Sequence, residues 1–290
     1  MEILSSTTVQ KVSDNIYVFT DKDMEMNSTL IVGKKDCILV DTRQNISLAK
    51  ESQSAVKSVT LKPIKYLINT HYHGDHTFGN QLFVEVQDII GHKKTRATLL
   101  ETGEQHKDFF RDFFGVSGTD KVVITPPTLT FENELSIQFD NMTIKISHTD
   151  NAHTDNAHTD TDCYIHIPEQ KLLITGDLFN NRTIAFTGDP QCNIGGWIKA
   201  IQEMAALDIE TVIPGHGPFG KKEDLIVYRQ YFEKLQTVAK QEFEKGKTRE
   251  EMKESLKLPE YKEWGHYDDW LSVNIETAYN ELSRKQHEQP

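Results

Sequence analysis

The sequence predicts an α/β fold built in layers, with a helical appendage at its C-terminal end. Residues 37–69 alternate apolar strand-like runs with one amphipathic helix, and residues 128–147 show the two-residue period of a β-hairpin. From residue 223 onward the pattern is polar and helical. Helices that alternate with strands cover the faces of a sheet, which is the pattern of layered α/β and α+β proteins.

Strand patterns dominate the first third of the chain. Residues 15–20, 28–32 and 37–40 are short apolar runs, and a Gly-Lys-Lys-Asp turn between the last two is typical of a hairpin. Residues 45–59 carry apolar side chains at helical spacing. Residues 64–69 form the next strand, which runs directly into a cluster of histidines.

The rest of the chain continues with alternating elements. We predict a strand near residue 89, a helix over 93–114, hairpins over 128–147 and 162–175, a helix over 193–207 and a strand at 211–214. Gly246, Pro259 and Gly265 interrupt the helical pattern that follows. We therefore expect one domain over residues 1–222, with residues 223–290 as a helical extension of that same domain.

The helix predicted over residues 93–114 carries a face of phenylalanines. Phe109, Phe110, Phe113 and Phe114 are spaced so that they share one side of the helix. Packing into the core is the simplest interpretation. The alternative is an apolar wall beside a functional site, since large exposed apolar surfaces usually mark binding sites.

Composition excludes several classes of function. The chain has 290 residues and a formal net charge of −12 without a basic stripe, so we expect no nucleic-acid partner. We also expect no membrane segment and no signal peptide. Cys37, Cys163 and Cys192 form no CxxC pair, which indicates a reducing compartment. The expectation is a cytoplasmic protein that acts on a small molecule; the sequence does not indicate its oligomeric state.

A five-residue unit is repeated between residues 148 and 160. The unit His-Thr-Asp-Asn-Ala begins at His148, recurs at His153 and starts a third copy at His158. A unit of this length is too short to build a solenoid. We interpret it as a surface loop lengthened by duplication, because loops accept insertions at low cost.

The run His-Tyr-His-Gly-Asp-His at residues 71–76 concentrates metal-binding side chains. His71 and His73 are two residues apart at the end of a strand, so their side chains point the same way. Asp75 and His76 follow in a turn. Imidazole and carboxylate ligands suit Zn²⁺, with iron and manganese as alternatives.

Three further segments place a potential ligand next to an apolar strand. They contain His158, Asp177 within Thr-Gly-Asp, and His216 within Pro-Gly-His-Gly. In this chain order, together with the histidine run, they resemble the metallo-β-lactamase superfamily over residues 14–220. The resemblance implies a four-layer αββα sandwich with two metal ions at one edge of the two packed sheets. The carboxylate in Thr-Gly-Asp is similar to that of the glyoxalase II and lactonase branches.

The resemblance also implies how the ligands are shared between two divalent metal ions, for which zinc is the first choice. The first metal would be bound by His71, His73 and His158. The second would be bound by Asp75, His76 and His216. Asp177 would bridge both.

The repeat leaves the third ligand of the first metal open among His148, His153 and His158. The family pattern has an acidic or small polar residue four positions after this ligand, where Asp162 follows His158. Alanines follow the other two histidines at that distance. We therefore favour His158, and expect the loop between residues 147 and 156 to be mobile and its extra copies to be dispensable.

Two neighbouring metal ions lower the pKa of a shared water, and the resulting hydroxide could attack a carbonyl carbon. Asp75 would orient this water or accept its proton. The expected activity is hydrolysis of an ester, thioester, lactone or amide. The alternatives are an iron-dependent oxygenase or oxidoreductase on the same scaffold, a β-lactamase-like amide hydrolase, a nuclease and an inactive binding module. The complete ligand set and the acidic surface argue against the last two.

Overall fold

The computed structural model describes residues 6–149 and 156–288, whose strands form two sheets. The first sheet holds seven strands in chain order: β1 (Thr7–Ser13), β2 (Ile16–Asp21), β3 (Asn27–Val32), β4 (Cys37–Val40), β5 (Ile64–Ile68), β6 (Asp88–His92) and β7 (Leu129–Phe131). Neighbours from β1 to β4 are antiparallel, and those from β4 to β7 are parallel.

The second sheet has five strands, and the parallel pair that it contains supplies two of the segments with potential ligands. Its order is β12 (Thr211–Ile213), β11 (Leu172–Ile174), β10 (Cys163–Ile167), β9 (Met142–His148) and β8 (Glu134–Phe139). Strands β12 and β11 are parallel, while the other neighbours are antiparallel.

Seven helices of the described residues cover the two sheets or connect their strands. They are α1 (Ile46–Val59), α2 (Gly74–Thr77), α3 (Lys93–Phe113), α4 (Ile194–Ala206), α5 (Lys222–Glu244), α6 (Arg249–Ser255) and α7 (Tyr267–Glu288). Capping side chains set several starts, because the first N–H groups of a helix have no partner within it. The side chain of Asn45 accepts from the N–H of Leu48, and that of Asn193 from the N–H of Gly196.

The two sheets face each other across an apolar core. Ile31 and Ile68 of the first sheet and Ile144 and Ile165 of the second belong to this core and are fully buried. Successive side chains of a strand point to opposite faces, so the alternate residues reach the outer layers. Leu39 on the outside of the first sheet, for example, packs in a cluster that contains Val56 of α1.

The outer face of the second sheet is covered by helices from the C-terminal half. Leu173 of β11 shares a core cluster with Trp197 of α4 and Tyr228 of α5, all fully buried. The order of layers is therefore helix, sheet, sheet, helix. The four-layer αββα sandwich with C-terminal helices is confirmed.

Strand β1 was not expected from the sequence. It is an edge strand that pairs only with β2 among the described strands, and it contains an irregularity between Lys11 and Ser13. Most of its residues are exposed, so its sequence Thr-Thr-Val-Gln-Lys-Val-Ser lacks a buried apolar face. Without that face the two-residue period, which is the sequence signal for a strand, does not develop.

The C-terminal helices α5, α6 and α7 pack against α4 and against one another. Leu225, Phe232 and Leu235 of α5 and Ile275 of α7 lie in the same cluster as Trp197. The boundary that we place at residue 222 stays a prediction. Among the described residues, no helix combines the length and the apolar character required to cross a bilayer.

Candidate metal centre

The potential ligands lie at one edge of the sandwich, where several strands end or begin. The run 71–76 follows β5, Asp177 follows β11 and His216 follows β12. His158 precedes β10, which runs antiparallel to its neighbours. The carboxyl ends of β11 and β12 and the amino end of β10 therefore meet at the same edge as the end of β5.

The structure brings all seven sequence-predicted side chains together. They form two groups, and in each group one potential ligand atom per residue lies within 4.8 Å of the others. The first group contains His71, His73, His158 and Asp177, and the second contains Asp75, His76, Asp177 and His216. Asp177 thus belongs to both groups.

Several polar atoms at this centre are buried and make no hydrogen bond to the described protein atoms. They are Nε2 of His71, Nε2 of His76 and Oδ1 of Asp177; the last two lie 3.0 Å apart as an ion pair, without the geometry of a hydrogen bond. Leaving such an atom unsatisfied costs about 1–3 kcal/mol, so native proteins rarely do it without a reason. Nitrogen and oxygen donors that converge in this way fit divalent metal ions.

The electrostatics of the protein groups also favour a cation. Burial lowers the pKa of His71 well below its usual value, which leaves its imidazole neutral and available as a ligand. Burial favours neutral carboxyl groups at Asp75 and Asp177 too, but the neighbouring imidazoles His76 and His216 outweigh it and hold both carboxyl pKa values well below the usual range. Two buried carboxylates therefore stay ionised.

Each of the five histidines contacts a supporting group through one ring nitrogen. Its other ring nitrogen faces the centre of its ligand group. A partner at the first nitrogen fixes both the tautomer and the orientation of a metal-binding imidazole. The contacts are His71 Nδ1 to Thr70 Oγ1 (3.0 Å), His73 Nε2 to Asp189 Oδ2 (3.0 Å), His76 Nδ1 to Asp41 Oδ2 (2.8 Å), His158 Nδ1 to Asp162 Oδ1 (3.3 Å) and His216 Nδ1 to the Met24 carbonyl oxygen (2.7 Å).

Of the two histidines of the repeat that the structure describes, His158 is the one that joins the first group. Its ring centroid lies 4.6 Å from that of His73 and 4.9 Å from that of His71. Asp162 supports it as expected and also accepts a hydrogen bond from the backbone N–H of Thr159. His153 and the loop expected to be mobile lie outside the described residues.

His148 is buried elsewhere, at the end of β9. Its ring stacks on that of His92 with a centroid distance of 3.7 Å and an interplanar angle of 17°. Its Nδ1 lies 2.8 Å from the carbonyl oxygen of Asp162. The structure therefore places His148 in the packing between β6, β9 and β10, outside both groups.

Asp41 is a supporting residue that sequence reasoning missed. Besides His76, its carboxylate accepts hydrogen bonds from the backbone N–H and the hydroxyl of Thr70, at 2.9 and 2.7 Å. It follows strand β4 with a φ of +59°, in the left-handed region that L residues seldom adopt. The only sequence signal was a polar Asp-Thr pair directly after an apolar strand.

Asp189 is the second missed carboxylate. It lies in the segment between β11 and α4, where its Oδ2 contacts both His73 Nε2 and the hydroxyl of Tyr72. Burial favours its neutral form, but the hydrogen bonds from His73 and Tyr72 outweigh burial and lower the pKa of Asp189 to about 2. Nothing near residue 189 in the sequence indicates this role, because its partners are more than 110 positions away.

Asp189→Asn is expected to weaken metal binding to the first group by about 10- to 100-fold, because it removes the charge that orients His73. Metal affinity is measured by competition with a chromophoric chelator. The control is Asp160→Asn, which removes a nearby carboxylate that pairs with Lys94 Nζ at 3.5 Å. Equal affinities in wild type and Asp189→Asn would show that this contact does not position the ligand.

A buried ion pair supports the loop that holds His216. Arg43 is fully buried, and its Nη1 lies 2.8 Å from Asp21 Oδ2. Asp21 Oδ1 in turn accepts the backbone N–H groups of Asp23 and Met24, at 3.0 and 2.7 Å. The carbonyl oxygen of Met24 is the partner of His216 Nδ1. The ion pair therefore holds in place the backbone segment that supports His216.

Arg43→Met is expected to lower the free energy of unfolding by about 3–5 kcal/mol, because it leaves the Asp21 carboxylate buried without its partner. Chemical denaturation measures the change. The double variant Asp21→Asn with Arg43→Met serves as the control and should recover part of the loss, since the uncompensated charge is gone. A single variant as stable as wild type would contradict this role of the ion pair.

A cavity of about 580 Å³ opens onto the centre. His73, Asp75, His158, Asp177 and His216 line its floor, while His71 and His76 lie behind them. The phenylalanine face of α3 contributes both to core packing and to the wall of the cavity. Phe109, Phe110 and Phe114 all line the cavity, and Phe110 is in addition buried against Phe78, with ring centroids 5.3 Å apart.

Two packed sheets with converging histidines and aspartates at their shared edge define a metallo-hydrolase fold. The model of the metallo-β-lactamase superfamily matches residues 24–216, and the chain belongs to this superfamily. The superfamily assignment from sequence is confirmed, while the glyoxalase II and lactonase branch stays a prediction.

Curated relatives and solved structures are similar at low identity. A linear primary-alkylsulfatase from Pseudomonas sp. is 20% identical over 79% of this chain and 49% of its own length. The lactamase-like protein nscB from Trichophyton rubrum is 24% identical over 73% of this chain and 57% of its own. The chain thus spans about half the length of the curated relatives that it matches.

Two solved structures share the fold. The sec-alkylsulfatase Pisa1 from Pseudomonas sp. has a TM-score of 0.73 at 18% identity and covers 95% of this chain and 50% of its own. A metallo-β-lactamase from Pontibacter korlensis has a TM-score of 0.65 at 18% identity and covers 78% of this chain and 99% of its own.

Proposed function

We propose that this chain is a hydrolase with two divalent metal ions, zinc being the first choice, that cleaves an ester, thioester, lactone or amide. The observation that carries the proposal is the pair of ligand groups that share Asp177. A carboxylate common to both groups would allow two cations to be held at the floor of one cavity.

The ligand assignment follows the two groups. His71, His73 and His158 would hold the first ion, Asp75, His76 and His216 the second, and Asp177 would serve both. When bound, two such ions supply a water of lowered pKa and polarise the oxygen of the bond that is cut.

Side chains of the protein itself would orient the water and accept its proton. Asp75 Oδ2 lies 3.1 Å from His216 Nε2 and 3.5 Å from His76 Nε2, and the residue lines the cavity. From there its carboxylate orients a water molecule toward the substrate and accepts a proton from it. The buried positions of the ligands limit competing water, so charges at the centre interact strongly.

A second candidate is hydrolysis of an alkyl sulfate ester. It rests on the alkylsulfatase among the relatives, whose similarity extends over 79% of this chain. The aromatic side chains of Phe109, Phe114 and Phe186 in the cavity also suit an alkyl group. An iron-dependent oxidoreductase and a β-lactamase-like amide hydrolase remain as further alternatives to test.

The metal content is expected to be two transition-metal equivalents per chain. Elemental analysis of protein purified without added metal measures this ratio, and reconstitution with zinc, manganese or iron identifies the metal that supports turnover. A reproducible single equivalent at full activity would contradict the binuclear site.

Hydrolysis is expected to exceed any oxidation. Aryl esters, thioesters, lactones, amides, a β-lactam and an alkyl sulfate are assayed in parallel, and oxygen uptake is followed with a thiol substrate. Release of carboxylate or sulfate distinguishes the first candidate from the second. Oxygen uptake faster than every hydrolytic rate would overturn both.

We also infer a cytoplasmic protein with a small-molecule substrate and no nucleic-acid or membrane partner. Cys37, Cys163 and Cys192 are all free and buried, which fits a reducing compartment. A cavity of about 580 Å³ is the size of typical small-molecule sites. Fractionation of the native cells, with this protein detected by antibody, tests the location.

A further inference from the structure

An aromatic wall borders the cavity on one side. We define it as Phe109, Phe114, Phe186 and Trp270, which line the cavity, together with Phe113, which contacts Phe109 and Phe186 outside the lining. Their rings form a continuous series, in which Phe109 to Phe113, Phe113 to Phe186 and Phe186 to Trp270 have centroid distances of 5.1, 5.9 and 5.6 Å. Such distances are those of contacting aromatic pairs.

The wall begins next to a metal-ligand candidate. The ring of His106 lies 5.4 Å from that of His73 and 5.8 Å from that of Phe109. A group that lies along the wall is therefore in reach of the floor of the cavity.

Two of the wall residues remain open to solvent. Phe113 is 56% exposed and Phe109 is 36% exposed, although both lie on the helix that buries Phe110 against the core. Exposed aromatic rings in contact with one another form an apolar patch, and such patches on soluble proteins mark binding surfaces. The patch is continuous with the proposed catalytic centre. We therefore expect the group that occupies the patch to be part of the substrate.

Another part of the cavity lining is polar. Lys22, Asp23, Glu25, Gln44 and Asn45 line it. A substrate that fits both parts has an apolar arm along the wall and polar groups at the bond that is cut. A uniformly polar substrate would leave the aromatic rings in water.

The wall is assembled from two distant parts of the chain that are fixed to each other. Trp270 comes from α7, and Phe186 comes from the segment after β11. Asn274 Oδ1 on α7 accepts from the Thr187 hydroxyl at 2.8 Å, and the Thr277 hydroxyl donates to the Thr187 carbonyl at 2.9 Å. The C-terminal helix therefore positions the outer half of the wall.

We propose that the aromatic wall binds a hydrocarbon chain or ring of the substrate, so that the enzyme acts on esters with an apolar arm. This proposal depends on the proposed function for the identity of the bond that is cut. The binding of the apolar arm does not depend on it. It assigns a substrate-binding role to Phe186 and Trp270, which belong to segments outside the metal-ligand motifs.

Binding is tested first, without turnover. Isothermal titration calorimetry of the metal-loaded protein uses acetate, butyrate, octanoate and dodecanoate. We expect affinity to rise with chain length by up to about fourfold per buried methylene, with a negative heat-capacity change. Phe186→Ala and Trp270→Ala should each reduce dodecanoate affinity by about tenfold or more and leave acetate binding unchanged.

Matched controls lie on the same helices. Tyr279→Ala removes an aromatic ring of α7 that packs on Phe243 away from the cavity. Leu100→Ala removes a side chain of α3 that is 62% exposed and does not line the cavity. Both controls should bind dodecanoate like wild type.

Hydrolysis is tested second, with the p-nitrophenyl esters of the same acids and with dodecyl sulfate. We expect kcat/KM to increase with chain length, and wall variants to lose this dependence through KM. Chain-length-dependent binding that the wall variants abolish, without hydrolysis of any ester, supports this inference while it overturns the proposed function. Hydrolysis with no dependence on chain length in either assay overturns the inference and leaves the proposed function standing.

Discussion

Asp177→Ala is expected to remove at least one metal ion and to lower kcat/KM by more than about a hundredfold. Loss of a residue that merely supports a ligand already costs about 10- to 100-fold, and Asp177 belongs to both ligand groups. Its Oδ1 lies 3.0 Å from His76 Nε2 and 3.5 Å from His216 Nε2. Without its charge these imidazoles no longer face a shared carboxylate.

The fold should survive this substitution. The side chain of Asp177 contacts the proposed ligands, whereas the turn around it is held by backbone hydrogen bonds such as Gly215 N–H to the Gly176 carbonyl at 2.8 Å. Elemental analysis and steady-state kinetics measure the two effects, and circular dichroism checks the fold. Asp177→Asn, which keeps the shape but not the charge, should behave like the alanine variant. Wild-type turnover with wild-type metal content in either variant would exclude a bridging role.

His158→Ala and His148→Ala are expected to differ sharply although the two histidines begin copies of the same repeat. His158→Ala removes a member of the first ligand group and should cost most of the activity, again more than about a hundredfold. His148 lies outside both groups, so His148→Ala should keep metal content and kcat/KM close to wild type.

Stability should respond in the opposite way. His148 is 2% exposed and stacks on His92, so its removal leaves a cavity between β6 and β9. We expect His148→Ala to lower the free energy of unfolding by about 1–3 kcal/mol, a typical cost for a buried site. Thermal unfolding of the metal-free protein measures this separately from ligand loss. Equal losses of activity in both variants would mean that the repeat as a whole contributes to the centre.

The sequence alone determined the local part of the centre. His71, His73, Asp75 and His76 lie within six residues, directly after β5 and at the start of α2, so their proximity is local in the chain. The strands before Asp177 and His216 could be predicted equally well, because buried parallel strands have short, continuous apolar sequences. Chain order then sufficed for the superfamily.

The register of the repeat was also decided by local chemistry. Asp162 stands four residues after His158, and in the structure it supports that imidazole and the backbone of Thr159. Alanine at the equivalent positions after the other two copies offers no such contact. One carboxylate therefore separates His158 from His148, while His153 lies outside the described residues.

Only the tertiary structure showed which other residues support the centre. Asp41 meets His76 from 35 positions away and Asp189 meets His73 from 116 positions away. Contacts over such separations arise when two sheets pack and a loop crosses their edge. Neither hydrophobic periodicity nor local spacing encodes them, because both describe neighbours along the chain.

The same limit applies to the phenylalanine face of α3. Its spacing predicts one apolar side, and that side exists, but its helical position does not say what covers it. Phe110 meets Phe78 and is buried, while Phe114 meets Phe186 in the cavity, and Phe186 in turn meets Trp270 of α7. Whether a phenylalanine becomes core or cavity wall depends on which distant segment packs against it, and only the assembled layers decide that.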